Sequence, residues 1–211
     1  MQVRAAMLLA ATGAVLGWSA LLLQLALTLT LFASQGGTVL DGVWRYLGYF
    51  TVIANIFAAV ILSCAALRQN FYKSEFAAAT AMILVGMVYS LLLRETWDPK
   101  GWQKLADIAL HDLMPLVVTL FWLMRPHGHV RGGAVAASLV LPLGFCAYAL
   151  TRGAFENWYP YPFLDVTHLG ASAVTLNCLG IGLAFLILAA GLAGLDRMLA
   201  RNAPVRARAA P

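Results

Sequence analysis

The chain has 211 residues, of which 62% are apolar and only 11% are charged, with a formal net charge of +5. Soluble domains carry charge on about a quarter of their residues, so this composition excludes an ordinary water-soluble domain. The mean hydropathy of +0.80 leads to the same conclusion. The composition therefore predicts an all-α, polytopic membrane protein.

Six segments are long and apolar enough to cross a bilayer, which takes about 20 residues rising 1.5 Å each. In chain order they cover about 5–33, 45–67, 75–95, 105–125, 132–151 and 171–196. The first is longer than a signal peptide's apolar stretch of about 7–15 residues, so we interpret it as a permanent helix. Because the connections are short, we expect one six-helix transmembrane domain over 1–199 and a basic tail over 200–211.

Basic residues are distributed unevenly between the two sides of this arrangement. If the N-terminus is cytoplasmic, nine Lys and Arg residues lie on the cytoplasmic side and five on the other. The positive-inside rule then predicts that both termini are cytoplasmic, in the cell (inner) membrane. We expect the basic tail to lie against anionic lipid headgroups and not against nucleic acid.

Polar side chains interrupt the helices mainly in the predicted outer half of the membrane, which indicates a polar cavity there. Thr51 and Asn55 are four residues apart on the second helix, and Asp107 and His111 are four apart on the fourth. Each pair therefore shares one helix face. A single Thr or Asn can be explained by a structural hydrogen bond between helices. Two titratable groups on one intramembrane face need a more specific explanation.

Thr51 and His111 also fall at similar predicted depths. Counted from Arg45 and Lys104 as outer helix ends, both lie about 9–10 Å below the surface. A neutral histidine that accepts a hydroxyl proton allows that oxygen to attack an ester carbonyl. Asp107, one turn away from the histidine, would orient its ring as a third member. The residues therefore predict a nucleophile and base pair, if the two helix faces converge.

Further candidate residues lie near the outer boundary. Arg45 and Arg94, with Tyr89 nearby, could bind a substrate carboxylate, although snorkelling to the interface is the alternative for both arginines. Asn55, or backbone amides freed where Pro115 kinks the fourth helix, could stabilise an oxyanion.

Nothing in the sequence calls for a metal or organic cofactor. His127 and His129 have no nearby cysteine or carboxylate in the sequence, which makes them a poor zinc site. The three cysteines, Cys64, Cys146 and Cys178, fall within predicted spans without paired spacing. We expect them to be free thiols that pack as small apolar side chains.

Four segments resemble, in the same order, those of a family of bacterial six-helix membrane proteins. They are YFTVIAN at 49–55, VYSLLLR at 88–94, LHDLMP at 110–115 and WYPYPFLD at 158–165. That family is similar to the eukaryotic androgen-induced and androgen-dependent transmembrane hydrolases, which cleave fatty acid esters of hydroxy fatty acids with a threonine and a histidine. The resemblance implies a lipid ester hydrolase in which Thr51 is the nucleophile and His111 the base, with membrane lipids and a lipid ester as partners.

Two other functions stay open. A non-enzymatic protein that binds or transports a lipid or small solute would use Asp107 and His111 as a ligand-binding or proton-coupled pair. The lack of a visible inverted repeat argues against a secondary transporter. A scaffold within a larger membrane complex would need no such site. The oligomeric state is not predicted.

Overall fold

The structure, a computed structural model, describes residues 2–202; residue 1 and residues 203–211, and with them most of the predicted basic tail, lie outside the described part. The first helices are α1 (Gln2–Ser34), α2 (Val39–Tyr46), α3 (Phe50–Ala66), α4 (Tyr72–Val88), α5 (Trp102–Ile108) and α6 (Met114–Leu123). They are followed by α7 (Gly132–Ser138), α8 (Val140–Glu156) and α9 (Val166–Asn202). The described residues contain no strand, so the all-helical prediction is confirmed.

Five helical segments are long and apolar enough to cross a membrane, and a sixth is added if the bent pair α2–α3 counts as one span. The exposed side chains agree with a lipid environment. One face of α9 presents a row of large apolar side chains that are 58–70% exposed, namely Leu176, Leu179, Leu183 and Ile187. These features are compatible with a multi-pass membrane protein.

The predicted segment 45–67 is broken in the structure. Its first residues belong to α2, which meets α3 at an angle of 80°. Gly48 lies in the break, where a Cβ atom would stand 2.7 Å from a guanidinium nitrogen of Arg152. Because of this bend, the depth of Thr51 cannot be counted along one helix from Arg45, and that step of the prediction is wrong.

The other segments lie close to their predicted positions. Those predicted at 75–95, 105–125 and 132–151 correspond to Tyr72–Thr96, Trp102–Leu123 and Gly132–Glu156. The last predicted start, at 171, follows a break in α9 at Gly170, whose φ of 78° is not helical. A glycine adopts such a positive φ without the steric cost that a side chain would add.

Two neighbouring segments contain a widened, π-helical turn. One covers Tyr89–Leu93 after α4, and the other covers Ala109–Leu113 between α5 and α6. In the second, the Met114 N–H donates to the carbonyl of Ala109, five residues earlier. Pro115 follows directly and has no N–H to donate to the preceding turn. The predicted proline distortion is therefore a π-helical turn, a feature frequent at functional sites.

Small residues let the helices approach closely, as is usual in membrane bundles. At Gly17 of α1, for example, a Cβ atom would lie 2.8 Å from the side chain of Met114 on α6. Large buried side chains fill the region near the start of α4 and the end of α6, among them Phe76 and Phe121. The opposite end of the bundle holds the polar residues described next.

Candidate active site

Thr51 and His111 are in direct contact. Thr51 lies in the first turn of α3, and His111 lies in the π-helical turn before α6. The Thr51 Oγ1 atom is 3.2 Å from the His111 Nε2 atom. The histidine side chain is 16% exposed, so most of the ring is shielded while one edge stays accessible. The structure therefore brings the predicted hydroxyl and imidazole within hydrogen-bonding distance.

Asp107 sets the orientation of the histidine ring. The His111 Nδ1 atom lies 3.1 Å from the Asp107 backbone carbonyl and 3.0 Å from its carboxylate Oδ1. Only the carbonyl is aligned with the N–H direction, since Oδ1 has no hydrogen-bond donor among residues 2–202. Both neighbours are acceptors, so the proton resides on Nδ1. Nε2 is then the acceptor, and the Thr51 hydroxyl donates to it.

Tyr89 supports this arrangement from behind the ring. Its hydroxyl donates to Asp107 Oδ2 at 2.6 Å, and its ring stacks on His111 with centroids 3.8 Å apart. Tyr89 is buried. We predicted it as a substrate contact, but its hydroxyl is engaged by the aspartate. Its role in this geometry is to hold the carboxylate and the imidazole in place.

Asn55 is placed differently from its prediction as an oxyanion donor. Its amide nitrogen donates to the Thr51 carbonyl at 2.8 Å and to the Leu110 carbonyl at 3.2 Å. Both amide hydrogens are therefore used, and neither can donate to an ester oxygen at Thr51. Asn55 instead ties the first turn of α3 to the π-helical turn that carries His111.

The two predicted arginines differ in their surroundings. Arg94 forms an ion pair with Asp112 and lies over the Tyr89 ring, and it lines neither of the cavities described below. It is thus not positioned to bind a substrate carboxylate. Arg45 stacks on Trp158 at 3.9 Å and lines a cavity that reaches Thr51. No carboxylate pairs with it among residues 2–202.

Tyr161 is a site residue that the sequence reasoning did not assign. It lies in the connection between α8 and α9, and its hydroxyl oxygen accepts the Thr51 backbone N–H at 3.4 Å. Burial raises the pKa of Tyr161 to about 12, so the hydroxyl keeps its proton at neutral pH. One local feature of the sequence could have identified Tyr161, because Pro160 and Pro162 on either side restrict the backbone of this tyrosine.

Two cavities meet at Thr51. The first has a volume of about 370 Å³ and is walled mainly by apolar side chains of α3, α4, α8 and α9. The second, of about 490 Å³, includes Arg45 and Gln103 among its polar residues. Thr51, Tyr89 and Tyr161 line both. Their sizes are typical of small-molecule sites.

No protein-family model, curated protein or solved structure matches this chain.

The described part of the chain has no cluster of three or more His, Cys, Asp or Glu side chains placed to hold a metal. Of the two histidines considered as a zinc fragment, His127 lies 3.1 Å from Asp196 and His129 stacks on Tyr72. Each thus has a contact of its own within the bundle.

Proposed function

We propose that the protein is an integral membrane hydrolase of lipid esters, with Thr51 as nucleophile and His111 as general base. The observation that supports this most is the 3.2 Å contact between the Thr51 hydroxyl and His111 Nε2 at the junction of two cavities. A nucleophile hydrogen-bonded to a base that is itself oriented by a third group is the general signature of covalent hydrolysis.

In the proposed reaction, His111 Nε2 takes the hydroxyl proton as Thr51 Oγ1 attacks the ester carbonyl. The resulting imidazolium then gives this proton to the departing alcohol, which leaves an acyl-threonine. Water attacks the acyl group with His111 again as base, and the fatty acid and free Thr51 are released. The Asp107 carbonyl and carboxylate, both near Nδ1, stabilise the positively charged ring.

Tyr161 is the proposed donor to the oxyanion. Its oxygen accepts the Thr51 N–H, so its own proton is left to donate into the space next to the nucleophile. Thr51 lies at the N-terminal end of α3, where the positive end of the helix dipole favours developing negative charge. This assignment replaces Asn55 in that role.

The two cavities suggest where the acyl and alcohol portions of an ester substrate would bind. The apolar cavity suits the acyl chain, and the second cavity, with Arg45, suits an alcohol portion that ends in a carboxylate. Arginine is well matched to a carboxylate because of its planar, bidentate geometry. Fatty acid esters of hydroxy fatty acids, which the sequence resemblance implies, have this combination of an acyl chain and a free carboxylate.

In the membrane, we propose six spans, with α2 and α3 as one broken span and both termini cytoplasmic. The excess of basic residues on the N-terminal side of this arrangement supports that orientation, in accordance with the positive-inside rule. The site would then open toward the outer leaflet of the cell membrane, where lipid esters can enter laterally.

Turnover of a panel of lipid esters by the purified protein tests the proposal. Thr51→Ala should lower the rate of fatty acid release by about 10³-fold. Thr175→Ala is the matched control, because Thr175 also lines the apolar cavity but donates its hydroxyl to Ala171 of its own helix. Equal loss in both variants, or ester binding without turnover by the wild type, would contradict the hydrolase and favour the lipid-binding alternative.

A further inference from the structure

Two of the three cysteines are in contact. Cys146 on α8 and Cys178 on α9 are free thiols whose sulfur atoms lie 3.3 Å apart. Their separation of 32 residues along the chain shows no pattern that would predict this. Because a disulfide bond is about 2.05 Å long, the two sulfurs need to approach by only about 1.3 Å to be joined.

The pair lies at the edge of the apolar cavity, and both cysteines line it. Leu143 of α8 and Leu179 of α9 line the same cavity and are 58% and 66% exposed. The cavity therefore opens outward between α8 and α9, next to the two thiols.

The helices on either side of this opening are the least buried candidate spans. The apolar window of Gly132–Glu156, which comprises α7 and α8, is 22% buried, and that of Val166–Arg201 in α9 is 17% buried, whereas those of the other long candidate spans are 39–50% buried. Segments with few buried contacts separate at low free-energy cost. A covalent link would therefore restrict the α8–α9 opening more than it would restrict a tightly packed helix pair.

We propose that Cys146 and Cys178 form a reversible disulfide that joins α8 to α9 and narrows the entrance to the apolar cavity. The disulfide does not depend on the hydrolase assignment, whereas the regulation of ester turnover rests on the proposed function. The oxidant is a lipid-soluble disulfide. One cysteine thiolate attacks it and releases a thiolate, and the second cysteine then attacks the mixed disulfide and releases another. The two thiols lose two electrons and two protons, and the oxidant is reduced to two thiols.

The full-length Cys64→Ser variant in detergent provides a clean background, because only the pair then remains. After treatment with dithiodipyridine and unfolding, we expect no thiol that maleimide can alkylate, no pyridylthio adduct, and a mass loss of about 2 Da. Adding Cys146→Ser is the matched control, in which Cys178 should retain a pyridylthio adduct. Adducts on both cysteines of the pair without the mass loss would overturn the proposed disulfide.

The rate of uptake of a fluorescent fatty acyl probe measures access through the cavity entrance without requiring catalysis. Oxidation should slow uptake severalfold in Cys64→Ser, and dithiothreitol should restore it, while a variant that also lacks both Cys146 and Cys178 should not respond. Cross-linking with unchanged uptake would overturn the gating role. Ester turnover, measured in parallel, should fall with uptake. If turnover is absent even in the reduced protein, the hydrolase proposal fails. The mass and uptake results still test the proposed disulfide and its effect on the cavity entrance.

Discussion

Replacing Thr51 and His111 singly and together tests the proposed catalytic pair most directly. In the proposed reaction, Thr51 Oγ1 attacks while His111 Nε2, 3.2 Å away, takes its proton, so loss of either group should stop the same step. Removing a general base costs about 10²–10⁴-fold in rate. We expect Thr51→Ala and His111→Phe each to lose about 10³-fold, which is about 4 kcal/mol of transition-state stabilisation. The double variant should lose about 10³-fold as well, not about 10⁶-fold, because members of one catalytic unit are not additive.

The same substitutions should leave the fold intact. His111→Phe keeps an aromatic ring to stack on Tyr89, whose centroid is 3.8 Å from that of the histidine. Losing the hydrogen bond from Thr51 removes one interhelical contact, which costs about 0.6 kcal/mol in membrane proteins. Thermal unfolding in detergent should therefore give similar midpoints for all the variants.

The assay for the single and double variants is the initial rate of fatty acid release, followed by mass spectrometry, with Thr175→Ala as the control. Two results would refute the reasoning. Wild-type turnover by Thr51→Ala would show that another group is the nucleophile. Losses that multiply in the double variant would show that Thr51 and His111 act independently, despite their contact in the structure.

Three further predictions concern particular contacts, and a fourth concerns the orientation in the membrane. Tyr161→Phe should lower turnover by about 10²–10³-fold, as expected for loss of one oxyanion donor, with unchanged binding of a fatty acyl probe; wild-type rates would exclude Tyr161 from that role. Asp107→Asn should reduce turnover less than His111→Phe does, because the substitution alters the carboxylate but keeps the backbone carbonyl that accepts the Nδ1–H. Unchanged turnover in Asp107→Asn would mean that the carboxylate has no part in the reaction. Gly153→Ala should lower the thermal midpoint in detergent, because its Cβ would lie 2.0 Å from the ring of Tyr159; an unchanged midpoint would show that this ring moves freely. A reporter that is active only after export should be inactive when fused after residue 211, and its activity there would reverse the proposed orientation.

The sequence predicts best those features that depend only on residues close together in the chain. The length of an apolar run is a property of consecutive residues, so most helical segments lie within a few residues of their predicted bounds. The four-residue spacing of Asp107 and His111 likewise places both on one helix face without knowledge of any neighbour. The pairing of Thr51 with His111 was predicted from depth along straight helices. The contact is present, but it forms across a broken helix that this counting did not include.

What the sequence alone determined, then, is the all-helical, apolar character of the chain and which polar groups each helix carries, because these depend on neighbours one to four residues apart. Which of those groups meet depends on the tertiary structure. Arg94 is used by Asp112, Tyr161 reaches Thr51 from a loop 110 residues away, and Cys146 approaches another helix. Such contacts depend on how whole helices pack, and packing depends on close fits such as that at Gly48, which no local pattern in the sequence records.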